Sequence, residues 1–187
     1  MTVLTLDEVK SHLNISDTGS DGELMSFAAR AEAAVATRCG PLQPTTVTDR
    51  VRGYGSSLCP RVTPISTITS VTPVGGSALD VSRLVAPSVG PRGPRCIEYV
   101  NGGVFGSRWY DVTYEAGWAD VPEDLRLAVL EAVRYYWQTQ LGNSPAVNGA
   151  LPSSGDVDYP STSDVPLGAF PWVRIQHLIE QYEQVWL

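Results

Sequence analysis

Histidine and cysteine, the residues that most often ligate metals or act as nucleophiles, are scarce in this sequence. Its two histidines, His12 and His177, lie far apart and at no recognisable metal-ligand spacing. Its three cysteines, Cys39, Cys59 and Cys96, form no CxxC pair, which argues against both a zinc site and a disulfide framework. We therefore expect three reduced and mostly buried thiols, and neither a metal nor another cofactor.

Two further kinds of site have to be considered. Paired carboxylates could serve in acid–base catalysis, and a glycine-rich stretch could bind phosphate. Glu123 and Asp124 are adjacent, but a helix N-terminus explains both through capping and the helix dipole. Asp156 and Asp158 lie in a predicted loop, which would not bury them enough to tune an acid or a base. The glycines of 102–106 are followed by neither a helix nor a lysine, so they predict a turn rather than a phosphate loop. We expect no catalytic site and no enzyme activity.

The chain is acidic, and its charge is unevenly distributed. Its 187 residues include 13 basic and 20 acidic side chains, a formal net charge of −7. Residues 45–117 hold seven basic and five acidic side chains, whereas residues 118–187 hold three basic and nine acidic ones. Gripping the DNA backbone requires clustered positive charge, which does not suit this acidic chain. The balance suits a surface that stays near DNA without binding it, but in most proteins such a charge is only a solubility feature. No apolar run approaches the ~20 residues of a membrane span and no secretory signal is evident, so we expect a cytoplasmic product with no membrane partner.

The clearest secondary structure is predicted between Trp109 and Leu141. Alternating apolar residues predict a strand over Trp109–Ala116. Asp120 as N-cap and Pro122 in the first turn then predict a helix that runs to about Leu141. Four apolar residues of the strand fall on one face: Tyr110, Val112, Tyr114 and Ala116.

Two apolar stripes run along this predicted helix, although a helix on the surface of a lone domain needs only one. The first stripe consists of Leu125, Val129, Ala132 and Tyr136. The second, roughly opposite, consists of Leu127, Leu130, Trp137 and Leu141. Either the helix is central within the monomer, or its second side is covered by another subunit.

The rest of the chain predicts a β region between two helical parts. Capping-box patterns at Thr5–Glu8 and Ser20–Glu23 predict two N-terminal helices. After Pro44 the apolar period becomes two, which predicts about five short antiparallel strands, and 101–103 is a hairpin signal. Pro64 and Pro73 restrict the stretch 61–74 to a sheet edge or to two short strands.

This order of elements predicts an α+β fold. A small α-helical bundle of about four helices would comprise 1–44 and 118–187, and an inserted antiparallel β-sheet would comprise 45–117. A long loop is predicted from Gly142 to Ala169, followed by a C-terminal helix. That helix has apolar residues at heptad-like spacing. Either it packs on the core of its own chain, or the long loop allows it to reach and bind a neighbouring protein.

Several segments resemble the head–tail connector (adaptor) proteins of tailed bacteriophages, which form the first ring beneath the portal in long-tailed phages. These segments are LTLDEVKSHLNI, PISTITSVTPV, and YEAGWADVPEDLRLAVLEAVRYYW followed by DVPLGAF. The most specific is the strand–Gly–aromatic–x–Asp–Val–Pro–Glu–Asp–Leu junction with its helix. Together they cover most of the chain and leave Arg92 to Gly106 and the tip of the long loop unmatched.

The resemblance implies a virion protein of the neck, between capsid and tail, with a helical bundle, a β insertion and no active site. It implies a homo-oligomeric ring of about twelve copies around the DNA channel. The implied partners are the portal protein above, a stopper or tail-completion protein below, and double-stranded DNA that passes through without sequence-specific binding.

Two sets of contact residues follow once a ring is implied. The subunit interface is predicted at Leu127, Leu130, Arg134, Trp137 and Leu141. Portal docking is predicted at Trp172, Ile175, Ile179, Tyr182 and Trp186, because the C-terminal segment of such proteins often docks there. The relatives, however, often finish soon after a short basic segment, whereas this chain continues into an acidic, aromatic helix. The alternatives are another neck or tail-completion ring protein, or a cytoplasmic nucleic-acid-binding module that uses the arginines of the β insertion.

Overall fold

The computed structural model describes residues 2–88, 90–140 and 172–183. Within these residues the chain forms four α-helices and two three-stranded antiparallel sheets, so the predicted α+β class is confirmed. The helices are α1 (Leu6–Leu13), α2 (Asp21–Cys39), α3 (Glu123–Gln140) and α4 (Trp172–Ile179). The strands are β1 (Thr45–Arg52), β2 (Ser57–Leu58), β3 (Ile65–Pro73), β4 (Leu84–Val85), β5 (Ile97–Tyr99) and β6 (Trp109–Ala116). The predicted long loop from Gly142 to Ala169 lies outside the described residues.

The first helix begins with the capping box that the sequence predicts. The backbone N–H of Thr5 donates to Oε2 of Glu8 at 2.7 Å, and the backbone N–H of Glu8 donates to Oγ1 of Thr5 at 3.3 Å. These two bonds satisfy donors that have no partner within the helix. The helix ends at Asn14, which adopts the left-handed conformation with φ 56°.

The larger sheet has the strand order β1-β6-β3, all antiparallel, with β6 in the centre. The alternation predicted for β6 is confirmed, because Tyr110, Val112, Tyr114 and Ala116 are all buried. β3 lies at an edge of the sheet, as its prolines require, because a proline offers no N–H to a second neighbour.

The smaller sheet, with the order β2-β5-β4, was not predicted as a separate sheet. The hairpin predicted at 101–103 is wrong, because the strands on either side of it, β5 and β6, belong to different sheets. The two strands β2 and β4 contain only two residues each, too few to show an alternating pattern in the sequence.

The expectation of three reduced thiols is also wrong. Cys59 and Cys96 form a disulfide that spans 37 positions of the sequence and joins the end of β2 to the start of β5. The pairing was not foreseen because cysteines this far apart give no spacing signal. Cys39 is a free, buried thiol, as expected.

The chain divides into two compact units. The helical unit consists of Met1–Glu32 and Asp124–Leu178, and the β unit consists of Ala33–Glu123 and Ile179–Leu187. The predicted boundaries at 44 and 118 remain predictions. No helix among the described residues is long and apolar enough to cross a membrane.

Candidate functional site

Helix α3 is the element that carries the predicted subunit interface. It begins at Glu123, so Pro122 precedes the helix instead of lying in its first turn, and Asp120 lies too early to be the N-cap. A proline in the position before the helix costs no intrahelical hydrogen bond, so the helix can begin two residues later than the sequence predicts.

One side of α3 belongs to the core of the helical unit. Five of its side chains have no exposed surface: Leu125, Ala128, Val129, Ala132 and Val133. This buried side contains three residues of the first predicted stripe, and the fourth, Tyr136, is half-buried. The first stripe is therefore a core stripe.

The other side of α3 is only partly covered within the described part of the chain. Leu127 is 40% exposed, and Leu130 and Trp137 are half-buried. Arg134 is exposed and lies 3.7 Å from the Glu131 carboxylate, one turn earlier on the helix. Leu141, the fifth predicted interface residue, lies outside the described residues. These positions form an apolar strip with a charged rim, which we call the α3 outer face.

Polar contacts fix α3 on the other helices of the helical unit. The Arg126 guanidinium forms an ion pair with the Glu8 carboxylate on α1, and Nε2 of His12 lies 3.2 Å from Oε1 of Glu131. Tyr136 packs against Phe27 of α2 with ring centroids 6.0 Å apart. Held on one side by α1 and α2, the helix presents its outer face in a defined orientation.

The predicted portal-docking residues lie in a different environment. Ile175 and Ile179 have no exposed surface, and Tyr182 is 8% exposed, so their seam packs within the chain itself. In the β unit, the Tyr182 ring meets Trp118 edge to face at 5.8 Å, and Glu183 pairs with Arg38 at 2.9 Å.

In the described residues, the C-terminal helix therefore packs on its own chain instead of extending to a neighbour. The docking role stays a prediction, and it requires these side chains to leave their present contacts. Nothing is described for the side chain of Trp172, and Trp186 lies outside the described residues.

The described residues bring together no group of three His, Cys, Asp or Glu side chains that could hold a metal ion. Burial raises the pKa of the free Cys39 thiol to about 12, so this thiol stays protonated and unreactive at neutral pH. The adjacent carboxylates Glu123 and Asp124 lie at the N-terminus of α3, where the helix dipole favours negative charge.

Sequence reasoning missed one set of surface residues. The β unit exposes six large apolar side chains: Tyr54, Val74, Val85, Val100, Val104 and Trp109. They lie in loops and turns or at strand ends, where no apolar period exists from which their exposure could be predicted. The glycines at 102 and 103, read only as a turn, are the one signal that could have drawn attention to Val104.

The described residues define a mixed α+β protein that exposes several large apolar side chains. No protein-family model matches the sequence, and no curated protein sequence matches it. Solved structures do match. A chain of the neck of an empty gene transfer agent particle, computed with C6 symmetry, has a TM-score of 0.56 and 21% identity over 98% of this chain and 91% of that chain.

Two further matches come from native particles. A chain of the virion of a native gene transfer agent has a TM-score of 0.57 and 20% identity over 98% of this chain and 91% of that chain. A chain of the native neck computed with C12 symmetry has a TM-score of 0.54 and 18% identity over 100% of this chain and 96% of that chain. The protein therefore has the fold of the neck chains of a phage-like particle, which confirms the sequence resemblance at the level of the fold.

Proposed function

We propose that this protein is a structural component of the neck of a phage-like virion, where it forms an adaptor ring between the portal and the tail. The observation that carries the proposal is the shared fold, which extends over 98% or more of this chain and 91% or more of each matched chain. Because the similarity extends over the full length of both chains, it involves the whole architecture, including the β unit, and is not limited to one common motif.

The ring is supported by the α3 outer face. A cyclic ring repeats one heterologous contact, so each copy needs an exposed contact surface on each of its two flanks. Apolar area stays accessible there in the single chain, because Leu127 is 40% exposed and Leu130 and Trp137 are only half-buried. Two of the matched neck structures were computed with C6 and C12 symmetry. A dodecamer is the copy number that we propose.

The passage of DNA through the ring is supported by charge alone. The chain has a net charge of −7 and only one lysine, Lys10, among its 13 basic residues. A channel lined by such a surface would repel the DNA backbone and allow it to slide, because strong binding requires clustered cations. The same reasoning favours a role without sequence-specific recognition.

The remaining partners of the proposed ring are the portal protein and a stopper or tail-completion protein. We assign portal docking to the C-terminal helix, as the sequence resemblance implies. Because Ile175, Ile179 and Tyr182 are buried within the chain, docking through them would require the helix to detach from its own contacts.

The decisive experiment is to locate the chain in purified particles by cryo-electron microscopy. We expect a ring of density at the neck into which both units of the chain fit. Density elsewhere in the particle would end the proposal. A second measurement addresses the rival function: tight, salt-sensitive binding of double-stranded DNA by the isolated protein would favour a nucleic-acid-binding module instead.

A further inference from the structure

The β unit carries an apolar surface around a shallow hollow of about 240 Å³. The hollow is lined by Arg83, Tyr99, Asn101, Gly103 and Val104. Val100 flanks it, since its backbone N–H donates to the Arg83 carbonyl at 3.0 Å. Val104 and Val100 are 73% and 59% exposed, so two large apolar side chains of this loop face solvent. We call this surface the valine hollow.

The valine hollow is held in a fixed shape by the packing beneath it. The Tyr99 ring, which forms its floor, stacks on the buried Phe105 ring with centroids 4.7 Å apart. Gly102 turns the loop with φ 73°, and Gly103 passes so close to Tyr99 that an added Cβ would lie 2.7 Å from the ring. Val104 is thus presented from a preorganised loop, which lowers the entropy lost when a partner binds.

The chemistry of the hollow fits an apolar side chain that lies beside a carboxylate. Val104 and the Tyr99 ring offer apolar contact, and the exposed Arg83, which also lines the hollow, offers a cation. Aromatic residues and arginine are the types enriched at the centres of protein–protein interfaces. Residues 45–117, which contain the hollow, hold seven basic and five acidic side chains.

The α3 outer face has the complementary chemistry. Leu127 is the one large apolar side chain outside the β unit that is strongly exposed among the described residues. Glu123, also exposed, lies four residues earlier and therefore on the same side of the helix. Residues 118–187, which contain this face, hold three basic and nine acidic side chains.

We propose that the valine hollow receives the α3 outer face of the neighbouring copy of this chain. Leu127 of one copy packs against Val104 and Tyr99 of the next, and Glu123 lies beside the neighbour's Arg83. The inference rests on the proposed ring, because a cyclic assembly joins two different surfaces of the same chain. It assigns the second of those surfaces to the β unit.

Disulfide cross-linking between copies tests this contact directly. Particles are prepared that carry the chain with both V104C and L127C, and they are oxidised mildly. Non-reducing electrophoresis should show a ladder of covalent multimers that collapses on reduction. The matched control is V74C with L127C, because Val74 is an exposed valine of the β unit that lies away from the hollow. The unsubstituted chain controls for its own three cysteines.

The outcomes separate the contact from the proposed function. A ladder from the V104C/L127C chain, and none from the V74C/L127C chain, supports the contact. A chain that is present in the neck but gives no V104C/L127C ladder overturns the contact and leaves the neck function standing. Absence of the unsubstituted chain from the neck overturns both.

A charge reversal keeps the inference testable if the cysteine variants fail to fold. R83E places two carboxylates together at the contact and should raise the concentration needed for half-assembly by at least about tenfold. R83E combined with E123R restores the opposite charges and should recover most of that loss. Circular dichroism checks that both variants are folded. Equal defects in R83E and in the double variant would overturn the pairing of Arg83 with Glu123.

Discussion

The hydroxyl of Tyr114 donates a hydrogen bond of 2.9 Å to Oδ2 of Asp49 and accepts one of 3.2 Å from the backbone N–H of Val62. Asp49 also accepts the backbone N–H of Arg61 at 3.1 Å. Tyr114 lies in the central strand β6 and has no exposed surface. This one side chain therefore joins the core of the larger sheet to the segment that leads into β3. Burial, helped by the Asp49 carboxylate, raises the pKa of Tyr114, so the hydroxyl stays protonated and keeps its role as donor.

Replacing Tyr114 with phenylalanine should destabilise the β unit. The ring would still fill its place in the core, but the part-buried N–H of Val62 would lose its acceptor. Leaving a fully buried group unsatisfied costs about 1–3 kcal/mol, so partial burial places this loss near the lower end, about 1 kcal/mol. We expect that decrease in the free energy of unfolding, measured by urea denaturation. The control is Tyr54→Phe, because Tyr54 is 86% exposed. Equal effects of the two substitutions would contradict a structural role for the Tyr114 hydroxyl.

Glu32 should make the stability of the helical unit depend on pH. Its Oε1 accepts the backbone N–H of Val3 at 2.7 Å and that of Leu4 at 3.3 Å. Burial nonetheless raises the pKa of Glu32 above its ordinary 4.5, since loss of water outweighs these two hydrogen bonds. The folded state therefore binds this proton more tightly than the unfolded state. Stability contributed by the protonated form should be lost as the pH rises from 4.5 through the folded-state pKa.

The comparison of wild type with Glu32→Gln isolates this effect. The difference in unfolding free energy, wild type minus variant, should fall as the pH rises above 4.5. Glu8→Gln provides a control of opposite sign. Hydrogen bonds from the Thr5 backbone and hydroxyl lower the pKa of Glu8, so its stabilisation should appear as the pH rises and be lost as the pH falls. Parallel pH profiles for the two variants would refute both assignments.

The sequence predicted those elements whose patterns are long enough to read. The strand Trp109–Ala116 alternates over its whole length, and the helix that follows shows one apolar stripe for the core and one for the outside. In a segment of this length, the periodic apolar positions are the ones that are buried, so the sequence pattern predicts which side chains belong to the core. The spacing showed that α3 has a second apolar stripe, but it fitted a helix central in the monomer as well as one covered by another subunit.

The smaller sheet and its disulfide could not be predicted in this way. Strands of two residues carry no period, and their pairing depends on contacts between distant parts of the chain. Cys59 and Cys96 meet because β2 pairs with β5, so the disulfide is a consequence of that pairing. The valine hollow has the same origin, because Arg83 and Val104 come together only once β4 and β5 are aligned.

The disulfide should stabilise the β unit. It closes a loop of 37 positions, and a cross-link of that span typically contributes about 2–4 kcal/mol by restricting the unfolded chain. The double substitution C59S/C96S should lower the free energy of unfolding by that amount. Reductant should lower the melting temperature of the wild type and leave that of C59S/C96S unchanged. A wild type that melts identically with and without reductant would mean that the cross-link contributes nothing to stability.

Leu125 and Trp137 differ in burial on α3, and truncating each should affect a different property. Leu125 has no exposed surface, so Leu125→Ala should lower the free energy of unfolding by about 2–5 kcal/mol through the cavity it leaves. Trp137 is only half-buried and lies on the α3 outer face, where a neighbouring subunit would cover it. Trp137→Ala should therefore weaken assembly by about 2 kcal/mol or more, roughly 30-fold, with a smaller loss of monomer stability.

Thermal melting and analytical sedimentation of the same samples distinguish the two effects. Trp137→Ala should sediment as smaller species at concentrations where the wild type forms rings, while its melting temperature stays close to that of the wild type. Leu125→Ala should show the reverse, with a large decrease in melting temperature and assembly retained at temperatures where the chain is folded. Equal losses of stability and assembly in Trp137→Ala would place this side chain in the core. The subunit interface would then have to be sought on a surface other than the α3 outer face.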